Sequence, residues 1–109
     1  MKHKIIVIDM DGTLCEEVPT FEKSMAQPKH EVIEFINKLY AFGTHIIIYT
    51  SRGWAEYRMT KKWLNNFNVK YHQLICGKPI YDVWLDDKSI KPEEQKKLYK
   101  LLEIEEINQ

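Results

Sequence analysis

Two runs of branched aliphatic residues most constrain what this chain can fold into: "IIVI" at Ile5–Ile8 and "HIIIYT" at His45–Thr50. Each is continuous rather than alternating, the pattern of strands covered on both faces. Helical periodicity fills the gap between them. Pro28 opens a segment in which Val32, Ile33, Ile36, Leu39 and Tyr40 recur at three- and four-residue spacing, and Gly43 closes it. A second helix is expected from about Trp54 to Phe67, with Tyr57, Thr60, Lys61 and Leu64 on one face. "YDVWLDD" (Tyr81–Asp87) is a third strand candidate and "YHQLI" (Tyr71–Ile75) a fourth. A last helix, starting near Pro92, carries Leu98, Leu101, Leu102 and Ile104. Strands alternating with helices imply an α/β fold: a Rossmann-like three-layer α/β/α core on a mainly parallel sheet with right-handed crossovers.

At 109 residues the expectation is one domain, 1–109, with little room for a second lobe. Lys plus Arg and Asp plus Glu both number 16, so the net charge is zero. That balance argues against a nucleic-acid binder or an anionic-membrane binder, either of which needs a basic excess. The two cysteines, Cys15 and Cys76, form no CxxC and are too few for a disulfide scaffold. "IIVI" before Asp9 is too short for a signal h-region or a membrane span. The expected location is cytoplasmic.

The polar residues at the ends of the apolar runs carry the chemistry. Asp9 and Asp11 follow the first run, and Thr50, Ser51 and Arg52 follow the second. Lys78 precedes Tyr81–Asp87, and Asp86 and Asp87 end it. Parallel topology brings strand ends to one edge, where ligands of open α/β sheets bind. Two like charges ~4 Å apart repel by roughly 4 kcal/mol at an effective dielectric near 20. Clustered carboxylates therefore need raised pKa values or a cation. A hard divalent cation with oxygen ligands fits, and Mg²⁺ is the usual one beside phosphate. His3, His30, His45 and His72 are scattered, with no zinc spacing among them.

Residues two apart in an extended segment point the same way, so Asp9 and Asp11 could face one atom, one as nucleophile and one as proton donor. Gly12 would permit the turn after them. Thr50 could donate a hydrogen bond to a phosphoryl oxygen, and Lys78 could set positive charge against it. Arg52 could bind that phosphate or a second anionic group, or pair with a local acid. Trp54, Tyr57, Trp63 and Trp84 read mostly as core, with Trp54 also placed to touch a leaving group. The polar segment Cys15–Gln27 reads as a loop or flap at the strand edge.

"DMDGTL", "IIIYTSR", "GKP" and "WLDD" resemble, in order, the four motifs of the haloacid dehalogenase superfamily of phosphatases. More narrowly, "DGTLCE", "IIIYTSRG" and "VKYHQLICGKPIYDVWLDDKS" look like the small phosphatases linked to capsule polysaccharide biosynthesis. The resemblance implies that Asp9 attacks phosphorus to form an aspartyl-phosphate, and that Asp11 protonates the leaving oxygen and then activates water. It implies Mg²⁺ held by the Asp9 carboxylate, the Asp11 main-chain carbonyl and the Asp86 carboxylate, with Asp87 either supporting those ligands from behind or reaching the metal through water. Thr50 and Lys78 would hold the phosphoryl group. Neither Met10–Tyr49 nor Ser51–Gly77 has room for the cap domain that many members carry, so a capless core is expected. Its open crevice would admit a larger substrate or be covered by a neighbouring subunit. The expected partner is a small phosphate ester of a sugar or polyol, with association into a homo-oligomer plausible for so small a core.

Two other functions fit parts of the pattern. A signalling receiver also uses strand-end aspartates, a hydroxyl, a lysine and Mg²⁺, but with the acidic pair first; here the order is Asp-x-Asp, hydroxyl, lysine, acidic pair. A catalytically silent relative would lack key residues, and all of them are present.

Overall fold

The structure is a computed structural model that describes residues 4–91, 93 and 94. The chain divides into two compact units, Met1–Pro79 and Ile80–Gln109.

The first unit is built on a parallel three-stranded sheet. Strand β1 (Ile5–Ile8) pairs with β2 (His45–Tyr49), and β2 pairs with β3 (Gln73–Ile75). The register sets Ile8 beside Ile48 and Tyr49 beside Ile75. Helix α1 (His30–Ala41) links β1 to β2, and α2 (Tyr57–Asn66) links β2 to β3. Parallel neighbours cannot be joined by a tight hairpin, so each connection carries a helix. The expected parallel α/β architecture is therefore present, and the strand candidate Tyr71–Ile75 supplies its third strand.

β2 lies in the middle, and its Ile46 and Ile48 are fully buried. β1 differs from expectation. Ile8 is buried, but Ile5 and Val7, which share the opposite face of the strand, are exposed, and their β2 partners His45 and Ile47 are less buried than Ile46 and Ile48. Under the sheet, α1 contributes Ile33, Phe35, Ile36 and Leu39, and α2 contributes Thr60, Trp63 and Leu64. Lys61, expected on the inner face of α2, is exposed, and Trp63 takes that face instead.

Both helices end in the same way. At α1 the amide of Gly43 donates to the Tyr40 carbonyl and that of Thr44 to the Leu39 carbonyl, with Gly43 at φ +96°. At α2 the amides of Asn68 and Val69 do the same to Asn65 and Leu64, with Asn68 at φ +55°. These are Schellman closures, which need a left-handed residue and turn the chain back toward the sheet. The expected single helix Trp54–Phe67 begins instead as a short 3-10 turn, Trp54–Glu56, before α2.

The segment Cys15–Gln27 is neither strand nor α-helix, apart from a 3-10 turn at Thr20–Met25. Its ends are pinned by Glu16 donating to the Gln27 carbonyl and Lys29 donating to the Leu14 carbonyl. The Trp63 indole donates to the Ala26 carbonyl at 2.9 Å and ties the segment to α2.

In the second unit, the expected strand Tyr81–Asp87 is not formed; the described backbone there is irregular. Asp86 turns the chain by accepting the Lys88 amide at 3.1 Å and the Ser89 hydroxyl at 3.1 Å, an aspartate turn that competes with extended backbone. Val83 and Leu85 are exposed. The helix expected from Pro92 lies outside the described residues.

Candidate active site

The chain leaving β1 is folded by its own carbonyls. The Met10 carbonyl accepts the amides of Thr13, Leu14 and Cys15, and the Gly12 amide donates to the Cys15 carbonyl. This reversal puts Gly12 at φ +87°, a conformation that strains any side chain. Met10 is fully buried, and the aspartates on either side of it both keep exposed surface, more at Asp9 than at Asp11.

After β2 the chain keeps its partner. The Thr50 amide donates to the Ile75 carbonyl, the Lys78 amide donates to the Thr50 carbonyl, and the Gly77 amide donates to the Arg52 carbonyl. The segments after β2 and β3 are thereby laced together, which delivers Lys78 to the same edge as Asp9 and Asp11. Lys78 Nζ stands 3.8 Å from Asp9 Oδ1 and over the Tyr49 ring. The Asp9 carboxylate is 40% exposed, and its Oδ1 also accepts the Met10 amide at 2.8 Å.

Asp11 is held differently. Arg52 Nε donates to its Oδ2 at 3.0 Å and Nη2 to its Oδ1 at 2.8 Å. The guanidinium has no exposed surface, whereas the carboxylate keeps 16%. Of the readings open for Arg52, the structure has the pairing with a local acid. Burial pushes the Asp11 carboxyl up, but the Arg52 hydrogen bonds and charge, with Lys23 adding to them, outweigh it and leave the group below its ordinary value. Burial works against the Arg52 cation too, and Asp11 overcomes it, so the guanidinium is held more firmly protonated. Arg52 Nη1 donates to Thr60 Oγ1 at 3.0 Å.

Thr50 is fully buried, and its hydroxyl accepts the Arg52 amide at 3.1 Å; Ser51 faces solvent. Cys15 is also fully buried. Burial and the nearby Asp11 carboxylate push its thiol up to about 12. Trp63 is core, but Trp54 and Trp84 are exposed, contrary to expectation; Trp54 stacks on Tyr57 beside the glycine that precedes Lys78.

Asp9, Asp11, Thr50, Arg52 and Lys78 thus belong to the first unit and meet at its strand ends, while Asp86 and Asp87 belong to the second. Within that second unit, hydrogen bonds from the Trp84 indole, the Lys88 amide and the Ser89 hydroxyl hold the Asp86 carboxyl down at about 2. Thr60 is the participant that motif reading misses. Its signal was a hydroxyl at a buried-face position of α2. Among the described residues no three His, Cys, Asp or Glu side chains gather where they could hold a metal ion, so in the first unit a hard cation would rely on Asp9 and main-chain oxygens. The Asp9 carboxylate is open to solvent, and Arg52 takes one lone pair of each Asp11 oxygen, so the Asp11 main-chain carbonyl is a further oxygen that this turn can offer.

Comparisons with known proteins bear on the family and the fold. The model of the haloacid dehalogenase-like hydrolases matches residues 6–108. A structural-genomics crystal structure from Vibrio cholerae is similar at a TM-score of 0.76 and 24% identity, covering 92% of this chain and 97% of that one. Two structures of a Pnkp1/Rnl/Hen1 complex, one described as an RNA repair complex, are similar at TM-scores of 0.61 and 0.59 with 18% and 20% identity. They cover 90% and 94% of this chain, which spans about a third of those chains (33% and 32%). No curated protein matches. The shared architecture and the family model covering nearly all of the sequence lead to one assignment: the chain belongs to the haloacid dehalogenase-like hydrolases.

Proposed function

We propose that this hydrolase is an Mg²⁺-dependent phosphatase that works through an aspartyl-phosphate on Asp9. The observation that carries the reading is the Asp9 carboxylate, open to solvent, with Lys78 Nζ 3.8 Å away and Asp11 held two residues on. An anion placed beside Asp9 would lie next to the Lys78 ammonium, which offsets the repulsion between a phosphate and a carboxylate.

The Asp9 carboxylate attacks phosphorus and the bond to the leaving oxygen breaks. Asp11 is the acid that the resemblance implies for a poor leaving group; burial notwithstanding, Arg52 holds its carboxyl below the ordinary value, so it must take up a proton from solvent before it can supply one. In the second half, water gives a proton to the Asp11 carboxylate, its oxygen bonds to phosphorus, and the bond to Asp9 breaks. Thr50 and Lys78 hold the phosphoryl oxygens. The Asp9 carboxylate and the Asp11 main-chain carbonyl of the first unit would offer oxygens to Mg²⁺; Asp86 and Asp87 enter the ligand set from the motif resemblance alone. The metal, when bound, neutralises charge on the transferring group.

The substrate we propose is a small sugar or polyol phosphate of capsule or surface polysaccharide synthesis, in keeping with the narrower motif resemblance. Between the first two motifs the first unit carries only the Thr20–Met25 turn and α1. Between the second and third it carries the Trp54–Glu56 turn, α2 and β3. Both counts support a capless core, and an open crevice of that kind favours self-association.

The test is phosphate release across sugar, polyol and amino-alcohol phosphates, with and without Mg²⁺. Wild-type protein releases phosphate from at least one of them with metal present, and Asp9→Asn abolishes it. Wild-type activity in Asp9→Asn would eliminate the covalent mechanism.

A further inference from the structure

The Arg52 side chain is fully committed. A guanidinium has five N–H donors. Nε and one N–H of Nη2 go to Asp11, and one N–H of Nη1 goes to Thr60. The remaining two face sulfur, Met59 Sδ at 3.8 Å and Cys15 Sγ at 3.9 Å. With no exposed surface and no donor left over, this arginine is built to hold a neighbour rather than a ligand. The main chain of Arg52 is committed as well. Its amide donates to Thr50 Oγ1 and its carbonyl accepts the Gly77 amide next to Lys78.

We infer that Arg52, itself locked by Thr60 of α2, is a positioning residue that aims the Asp11 carboxylate at water during hydrolysis of the phosphorylated enzyme. Two parallel bonds fix the plane of a carboxylate, where one bond would leave it free to swing. Each carboxylate oxygen has a second lone pair, and the exposed edge of Asp11 leaves one available to a water. A base held this way abstracts a proton without first having to find its orientation. The role of Thr60 is to stop the guanidinium from turning about its own stem.

This inference rests on the phosphatase reading, and a substrate with a good leaving group separates the two. p-Nitrophenyl phosphate phosphorylates Asp9 as its P–O bond breaks and p-nitrophenolate departs without needing a proton. Only the second half then requires Asp11: water loses a proton to it, bonds to phosphorus, and the Asp9–P bond breaks to release orthophosphate. With Mg²⁺ present, Arg52→Lys is expected to lower kcat by about a hundredfold, the scale of general-base catalysis. KM should not rise, and kcat/KM, which reports formation of the phosphorylated enzyme, should stay within a few-fold of wild type. Rapid quenching should find a larger phosphorylated fraction in the variant than in the wild type. Thr60→Val, which keeps the shape of the side chain and removes the hydroxyl, should move the same quantities in the same direction by less, and it carries the test if Arg52→Lys fails to fold. A rise in KM at unchanged kcat would make Arg52 a substrate ligand and overturn the inference. So would equal falls in kcat and kcat/KM with no added phosphoprotein. If wild-type protein releases no phosphate from any ester with Mg²⁺, the phosphatase reading falls as well.

Discussion

Arg52 and Asp11, 41 residues apart in sequence, meet in a two-bonded ion pair of 2.8 and 3.0 Å with the cation wholly buried. The pair joins the turn after β1 to the segment after β2. It is therefore a structural joint of the first unit as well as part of its candidate active site.

Its removal has a stability consequence. Truncating one member of a buried ion pair strands the other, at a cost of about 3–5 kcal/mol. Asp11 keeps an exposed edge and can recruit water, so Arg52→Ala is expected at the low end, about 3 kcal/mol. Urea unfolding monitored through Trp63, buried at the junction of α2 and Ala26, measures it. A change below about 0.5 kcal/mol would mean that the pair contributes nothing net.

The same pair sets a pH dependence. Asp11 has a folded-state value below the ordinary 3.8, because Arg52 outweighs the burial that raises it. A depressed carboxyl contributes stability that is fully present above the unfolded value and is lost as pH falls through the folded value. The advantage of wild type over Arg52→Ala should therefore be constant from pH 7 to about 5 and shrink below 3.8. Urea midpoints of both proteins across that range test it; a gap that widened on acidification would contradict the sign.

Much of this was legible because it depends on local pattern. The continuous run Ile5–Ile8 and the run at His45–Thr50 do form adjacent parallel strands, and Met10 is buried between Asp9 and Asp11. What was not legible depends on partners distant in sequence. Trp54 reads as core by composition, but the turn at Trp54–Glu56 places it outside. Whether Arg52 meets an anion or an acid is decided by Asp11 and Thr60, and no spacing rule links either to position 52. The apolar residues Val83, Trp84 and Leu85 suggest a strand, but the segment runs into an aspartate turn at Asp86 and its described backbone is irregular.

The helix closures give a third expectation. Gly43 at φ +96° ends α1, and an alanine there would carry a left-handed penalty of about 1–2 kcal/mol. Gly43→Ala should lower stability by that amount. Asn68, at φ +55°, already bears part of such a cost, so Asn68→Gly should be neutral to stabilising by a few tenths of a kcal/mol. Urea midpoints of the two variants should therefore move in different directions or by clearly different amounts, and equal losses would remove the Schellman account.

The thiols supply the last test. Cys15 is fully buried, sits 3.9 Å from Arg52 Nη2 and 3.6 Å from Asp11 Oδ1, and has its thiol pushed up to about 12 by burial and by the Asp11 carboxylate. Cys76 is buried and raised as well, burial first and Glu56 second. Only a thiolate reacts at an appreciable rate, so native protein at pH 8 should leave both cysteines unmodified by a disulfide reagent such as DTNB, and urea should release two equivalents. Cys15 reports on the joint itself. Its sulfur lies in the cradle that encloses the guanidinium, so reaction there waits for the Arg52–Asp11 contact to open. Arg52→Ala should speed its modification at least as much as it increases the open population, whereas Cys76 should follow global stability alone. If Cys15 in wild type reacts as fast as a free thiol, the buried cradle around Arg52 does not exist in solution.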